Sequence, residues 1–308
     1  MTGQHSGEEL PATAEARMAE IRRSGTWSSA LSADEFAAIK STGFEPAGQV
    51  FGAAVYNIGY TGGYNCPGAW AGYGGFLAPV RGATAVSGRS SVGSYGPMVA
   101  TLYEARRKAI GRMEAECQEL GGHGVVGVRL TIGSFPAGGL EFKAIGTAVR
   151  APGEAPLGRP FTSDLSGQDF AKLALAGWVP AGLVLGISIG SRHDDWLTIT
   201  QTRWSGGNTE VSGYTDLVNQ TRHDARSQLE RDVTRHGAGG VVVQEMTVRV
   251  RERECPMQEG RRDHIVEATI IGTAITRFAE GRRSQAAPLA IMSLDPQRRQ
   301  AARVRLGP

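Results

Sequence analysis

The chain repeats itself once, and that constrains its fold more than any other feature. Residues 32–52, SADEFAAIKSTGFEPAGQVFG, lie over residues 166–186, SGQDFAKLALAGWVPAGLVLG, at an offset of 134 taken from Phe36 and Phe170. Further on, GHGVV ending at Val126 matches AGGVV ending at Val242, an offset of 116, and IGTAV from Ile145 matches IGTAI from Ile271, an offset of 126. Order persists while the offset drifts, as expected of two homologous units whose loops differ in length. Between them RAPGEAPLGRPF, residues 150–161, carries three Pro and two Gly and reads as a linker. The expected organisation is a partly helical arm over 1–31, a first unit over 32–150 with a glycine- and aromatic-rich insertion at 59–96, a linker over 151–165, a second unit over 166–278 and a basic tail over 279–308.

Each unit has the same local reading. A short helix starts at the cap residue Ser32 or Ser166, with Glu35 or Asp169 three residues on, and ends at Gly43 or Gly177. A strand follows, QVFGAAVYNI in the first unit and LVLGISI in the second, with GWVPAG before the latter read as a turn. The main helices run from Met98 to Leu120 and from Tyr214 to His236. Leu102, Ala105, Ala109, Met113, Glu116 and Leu120 approximate a 3.6-residue period on the first, as do Leu217, Val218, Thr221, Ala225, Leu229 and Val233 on the second. Both helices stop at Gly121 or Gly237, and a strand begins at once. In the second unit Val248 and Val250 alternate with Arg249 and Arg251, so one face of that strand is expected to be wet. A last strand holds the IGTAV or IGTAI segment. The fold class is therefore α/β (α+β), with two tandem units, each a small mixed β-sheet packed by a main helix and a short N-terminal helix.

At these residues the sequence resembles the YbjQ-like family, whose members carry a heavy-metal-binding label. The carrying segments are YTDLVNQTRHDA (214–225), LGGHGVVGVRL (120–130), HGAGGVVVQEM (236–246) and the terminal IGTAV and IGTAI. The resemblance covers most of 32–150 and 166–277. It implies a compact unit that assembles into a ring-like pentamer, and it implies no enzyme activity. The chain departs from the single-unit pattern in being tandem and in its long insertion, so five chains could contribute ten units, or each half could form its own ring.

A formal charge of +3 from 33 basic and 30 acidic residues argues against wholesale phosphate binding. Three Cys without a CxxC pair imply neither a disulfide framework nor a cysteine-rich zinc site. The polar start MTGQHSGEEL lacks an apolar signal region, so a cytoplasmic protein is expected. The uncharged stretch 173–191 has the length of a membrane span, but Gly177, Pro180, Gly182, Gly186 and Gly190 break it into helix end, turn and strand, and no span is expected.

Two motif matches mislead. The GxGxxG of residues 122–127 leads from helix into strand, the reverse of what a dinucleotide phosphate needs. The GxSxG around Ser188 lies within a strand with no helix to form a nucleophile elbow. With no titratable pair at motif spacing, no enzyme is expected and no catalytic or cofactor-binding residue is assigned.

A metal needs three or four converging Cys, His, Asp or Glu groups. The candidates are Cys66 in the insertion and His193 with Asp194 at the end of the second unit's strand, where a solvated turn is the blander explanation; Cys117 reads as a small core residue. No cofactor is otherwise expected beyond a transition or heavy metal. Tyr60, Tyr64, Trp70, Tyr73 and Phe76 crowd the insertion with only Arg81 and Arg89 for charge, which suits a protein contact or packing on a ring neighbour better than nucleic acid. The tail holds six Arg against Glu280 and Asp295, a solvated end or a contact for acidic surfaces. The reading as a whole is a non-enzymatic, ring-forming homo-oligomer that acts as a binding or scaffold protein, able to meet another protein through its aromatic loop. The alternative is a heavy-metal-binding protein with ligands shared between subunits.

Overall fold

The structure is a computed structural model that describes residues 10–25, 28–57, 84–88, 95–136, 139–153, 158–203, 207–255, 260 and 262–277. Its elements are α1 (Ala12–Ser24), α2 (Ala33–Ser41), β1 (Glu45–Tyr56), β2 (Thr84–Val86), α3 (Gly96–Glu119), β3 (Gly124–Phe135) and β4 (Gly139–Arg150). These are followed by β5 (Phe161–Thr162), α4 (Gly167–Leu175), β6 (Trp178–His193), α5 (Trp196–Thr202), α6 (Ser212–Arg235), β7 (Gly240–Glu254) and β8 (Arg262–Arg277). The fold is α+β.

Local chemistry sets the helix ends. Ser32 accepts from the Glu35 N–H while the Glu35 carboxylate accepts from the Ser32 N–H, a full capping box, and Ser166 accepts from the Asp169 N–H in the same way. Gly43 and Gly177 then turn the chain at φ 84° and 82°, a conformation that a Cβ disfavours. On α3 the buried residues include Leu102, Ala105, Ala109, Met113 and Glu116, and on α6 Leu217, Thr221, Ala225 and Leu229, so the apolar stripes face inward.

The first sheet has the order β1-β4-β3-β5 and the second β2-β6-β8-β7. The β3–β5 pair is parallel and the other pairs are antiparallel. Bulges fall at matching places, between Pro46 and Gly48 on β1 and between Pro180 and Gly182 on β6. The GWVPAG segment, expected to be a turn, is thus the start of β6. Pro180 is tolerated because the strand there lies at a bulge, where the ladder is already interrupted. The valine face of β7, expected to be covered, is open: Val248 is 36% and Val250 57% exposed. Helix α6 packs chiefly on β6 and β8 and barely reaches β7.

Three apolar clusters lie among the described residues. One lies between α6 and the inner face of the second sheet, with Val184, Ala225, Leu229 and Ile270. Another joins α2 and α4 to the ends of β3 and β4 through Ile39, Val126, Val149 and Phe170. The largest contains both the first sheet with α3 (Val50, Ala109, Met113, Phe142) and the outer face of β6 and β8 (Leu183, Leu185, Ile187, Ile271). Helix α3 therefore serves two sheets at once.

Candidate functional site

The seam between the two halves is built by pieces of the first half laid along the edge of β6. Strand β2, from the end of the insertion, pairs with Gly190 to Arg192. Next to it Ser87 donates its N–H to the Ile189 carbonyl (3.0 Å) and accepts the Ile189 N–H on its hydroxyl (3.1 Å). The Tyr103 hydroxyl accepts from the Ile187 N–H (2.8 Å) and donates to the Leu185 carbonyl (3.3 Å); burial pushes its pKa up to about 12. Further along, the Leu183 N–H donates to the Thr162 hydroxyl at 3.0 Å. In return, residues 161–165 add to β3: the Ser163 N–H reaches the Val125 carbonyl and the Val128 N–H the Ser163 carbonyl, both at 2.9 Å.

Arg106 is buried in this seam at 5% exposure. Desolvation lowers its pKa, opposed by the charges of Glu267 and Glu245 on the second sheet. Beside it α3 and α6 enclose a cleft of about 990 Å³, lined by Tyr103, Arg107, His123, Arg159, Asp232 and His236 among others.

A polar cluster closes the other end of the second sheet. His193 ends β6, Asp263 opens β8 opposite it, and Cys255 directly follows β7. The His193 Nδ1 lies 2.7 Å from the Asp263 Oδ1, and one ligand atom from each of His193, Cys255 and Asp263 falls within 4.8 Å of the others. All three residues are buried, so the expected solvated turn at His193 and Asp194 is instead enclosed by β7 and β8. Asp194 takes no part in that group. It accepts from the Tyr214 hydroxyl at 2.9 Å and pairs with His264 at 3.0 Å, with Glu252 on the far nitrogen of His264. Burial lowers the His264 pKa, but the carboxylates of Asp194 and Glu252 together outweigh it and leave the net shift upward.

The remaining predicted residues are placed as follows. Cys66, Tyr60, Tyr64, Trp70, Tyr73 and Phe76 lie outside the described residues. Cys117 is buried on α3, and burial pushes its thiol up to about 12, so it is an inert core group. Ser188 is buried within β6 and donates to Asp224 at 2.7 Å. Sequence reasoning missed Cys255 and Asp263, whose only signal was a Cys and an Asp flanking the turn between the last two strands.

The YbjQ family, described as "Putative heavy-metal-binding", matches residues 80–152. The encapsulin nanocompartment protein Rv1762c of Mycobacterium tuberculosis is 32% identical over 280 residues, 88% of this chain and 93% of that protein. The chain belongs to the YbjQ-like family. A UPF0145 protein of Clostridium perfringens is 50% identical over 48 residues, 16% of this chain and 45% of that protein. Another, of Natronomonas pharaonis, is 49% identical over 49 residues, 16% of this chain and 47% of that protein. None of these names describes a catalysed reaction. No helix among the described residues of this YbjQ-like chain is long and apolar enough to cross a membrane.

Proposed function

We propose that the chain is a non-enzymatic subunit of a ring-shaped homo-oligomer, built of two units over 32–150 and 166–278, that serves as a binding or scaffold module. The observation that carries this reading is the seam. Its two sides are different surfaces, helix and strand start from one half against strand edge and sheet face from the other. Each half also owns the side it does not use. A contact of this heterologous kind propagates head to tail and closes into a ring when the rotation allows.

The unused sides correspond residue by residue. Ser163 and the Asp164 N–H sit on the Thr273 hydroxyl, and Ser29 and the Ala30 N–H sit on the Thr147 hydroxyl, which makes 28–31 the counterpart of 162–165. At the offset of 116, Val243 on β7 stands for Gly127 on β3, so the start of β7 is the matching acceptor edge, and Val243 is 46% exposed. At the same offset Arg222 on α6 stands for Arg106 and is exposed, as is Asn219, which stands for Tyr103 and carries both a donor and an acceptor. Strand addition by 28–31 of one copy to β7 of the next satisfies both edges. Because each chain brings two units, a single ring made this way holds an even number of them.

Helix α1 stands in the incoming helix's place. It lies along Phe51 to Ala53 of β1 with Arg17 paired to Glu116, much as α3 lies along Leu185 and Ile187 of β6. Assembly then requires α1 to swing aside. Strand β2 ties the insertion to the seam, which suits a partner-binding role for Tyr60, Tyr64, Trp70, Tyr73 and Phe76. The name of the mycobacterial relative, an encapsulin nanocompartment protein, supports a place in a protein assembly. The deciding experiment is the native mass of the full chain. One closed stoichiometry is expected, reduced to monomer by Val243→Glu and enriched by Arg17→Ala; a monomer at every concentration, for wild type and Arg17→Ala alike, overturns the reading.

A further inference from the structure

We infer that His193, Cys255 and Asp263 form a site for one borderline-soft divalent cation of the zinc or cadmium class, wholly within the second half of a single chain. Three adjacent strands deliver one donor each to the same sheet end, a juxtaposition set by the β6–β8 and β7–β8 registers. A sulfur, an imidazole nitrogen and a carboxylate oxygen are a donor set that suits zinc-like ions. Magnesium and calcium prefer six or more oxygens.

Geometry and charge both fit. Bonds of about 2.0–2.3 Å in a tetrahedral site place ligand atoms about 3.3–3.7 Å apart. The donors lie within 4.8 Å of one another, so closure by about an ångström brings them to bonding positions. The His193 and Asp263 atoms, 2.7 Å apart across a shared proton, must open slightly as the ion takes the proton's place. The Cys255 thiol proton leaves on binding, and thiolate, carboxylate and neutral imidazole then surround the ion. That set is electrically neutral, which is what a buried site requires; a monovalent ion would leave a buried negative charge. At the offset of 134 the position of His193 is occupied by Gly59 in the first half, and no second group of this kind lies among the described residues. One ion per chain follows. The inference is independent of ring assembly, because no donor comes from another copy.

The test is a Co²⁺ titration of the untagged full-length chain, followed by displacement with Zn²⁺. A thiolate-to-cobalt charge-transfer band saturating at one equivalent is expected, kept by Cys66→Ser and Cys117→Ser and lost in Cys255→Ser. Zn²⁺ affinity should fall by more than about 100-fold in His193→Gln, beyond the roughly 10–100-fold that outer-shell partners cost. If Cys255→Ser does not fold, alkylation mapping on the wild-type chain decides: Zn²⁺ should protect Cys255 and leave Cys66 unchanged. No band, a band that survives in Cys255→Ser, a band lost in Cys66→Ser, or no protection of Cys255 overturns the assignment.

Discussion

Replacing Tyr103 with Phe removes one oxygen from the seam and leaves two main-chain groups of β6 without their partner. The Ile187 N–H, at 2.8 Å from that oxygen, and the Leu185 carbonyl, at 3.3 Å, both belong to buried residues. An orphaned buried N–H costs about 1–3 kcal/mol, while relief from burying the hydroxyl itself returns part of this, so a net loss of about 1–2 kcal/mol is expected. At about 2 °C per kcal/mol, the low end that a chain of this length reaches, the thermal midpoint should fall by about 2–4 °C. Urea unfolding reads the energy, and hydrogen exchange reads the place: the Ile187 amide should exchange faster together with the amides of α3. Tyr103→Phe with an unchanged urea midpoint and a protected Ile187 amide would refute the claim that this hydroxyl joins the two halves.

Three further outcomes are expected. Gly52→Ala and Gly186→Ala each drive a Cβ into helix backbone, at the Ala109 and Ala225 carbonyls, so each should reach or exceed the upper end of the about 1–3 kcal/mol typical of overpacking, measured by chemical denaturation. Thr273→Val should cost about 2–3 kcal/mol and Thr147→Val about 1–2 kcal/mol, because the Thr273 hydroxyl also donates to the Asp164 carboxylate; the reverse order in denaturation would contradict the hydrogen-bond inventory. Hydrogen bonds from the Ser32 N–H and then the Ser32 side chain and Gly167 N–H, outweighing burial, hold the Glu35 carboxyl below its ordinary value of 4.5. A depressed folded-state pKa contributes stability above the unfolded value that is lost as pH falls through the folded one. Glu35→Gln should therefore flatten the acid side of the thermal midpoint profile below pH 4.5 and leave its neutral side parallel to wild type.

Helix positions and ends were legible because they are local. Capping at Ser32 and Ser166, the stops at Gly43 and Gly177, and the buried faces of α3 and α6 all follow from residues within a turn or two of one another. The same locality misled at GWVPAG, where Pro and Gly mark a bulge in a 16-residue strand rather than a turn. The short helix α5 had no periodic signal long enough to be read.

What the amino-acid order settled alone is the succession of short helix, strand, long helix and two strands in each half, since propensity, period and caps act over a few residues. Which strand neighbours which was decided only by folding. The entry of β2 into the second sheet, the double duty of α3 and the meeting of His193 with Asp263 across 70 residues of chain all depend on strand order and register. Those are fixed by which apolar faces can be buried together at long range, a competition among surfaces that local pattern does not encode.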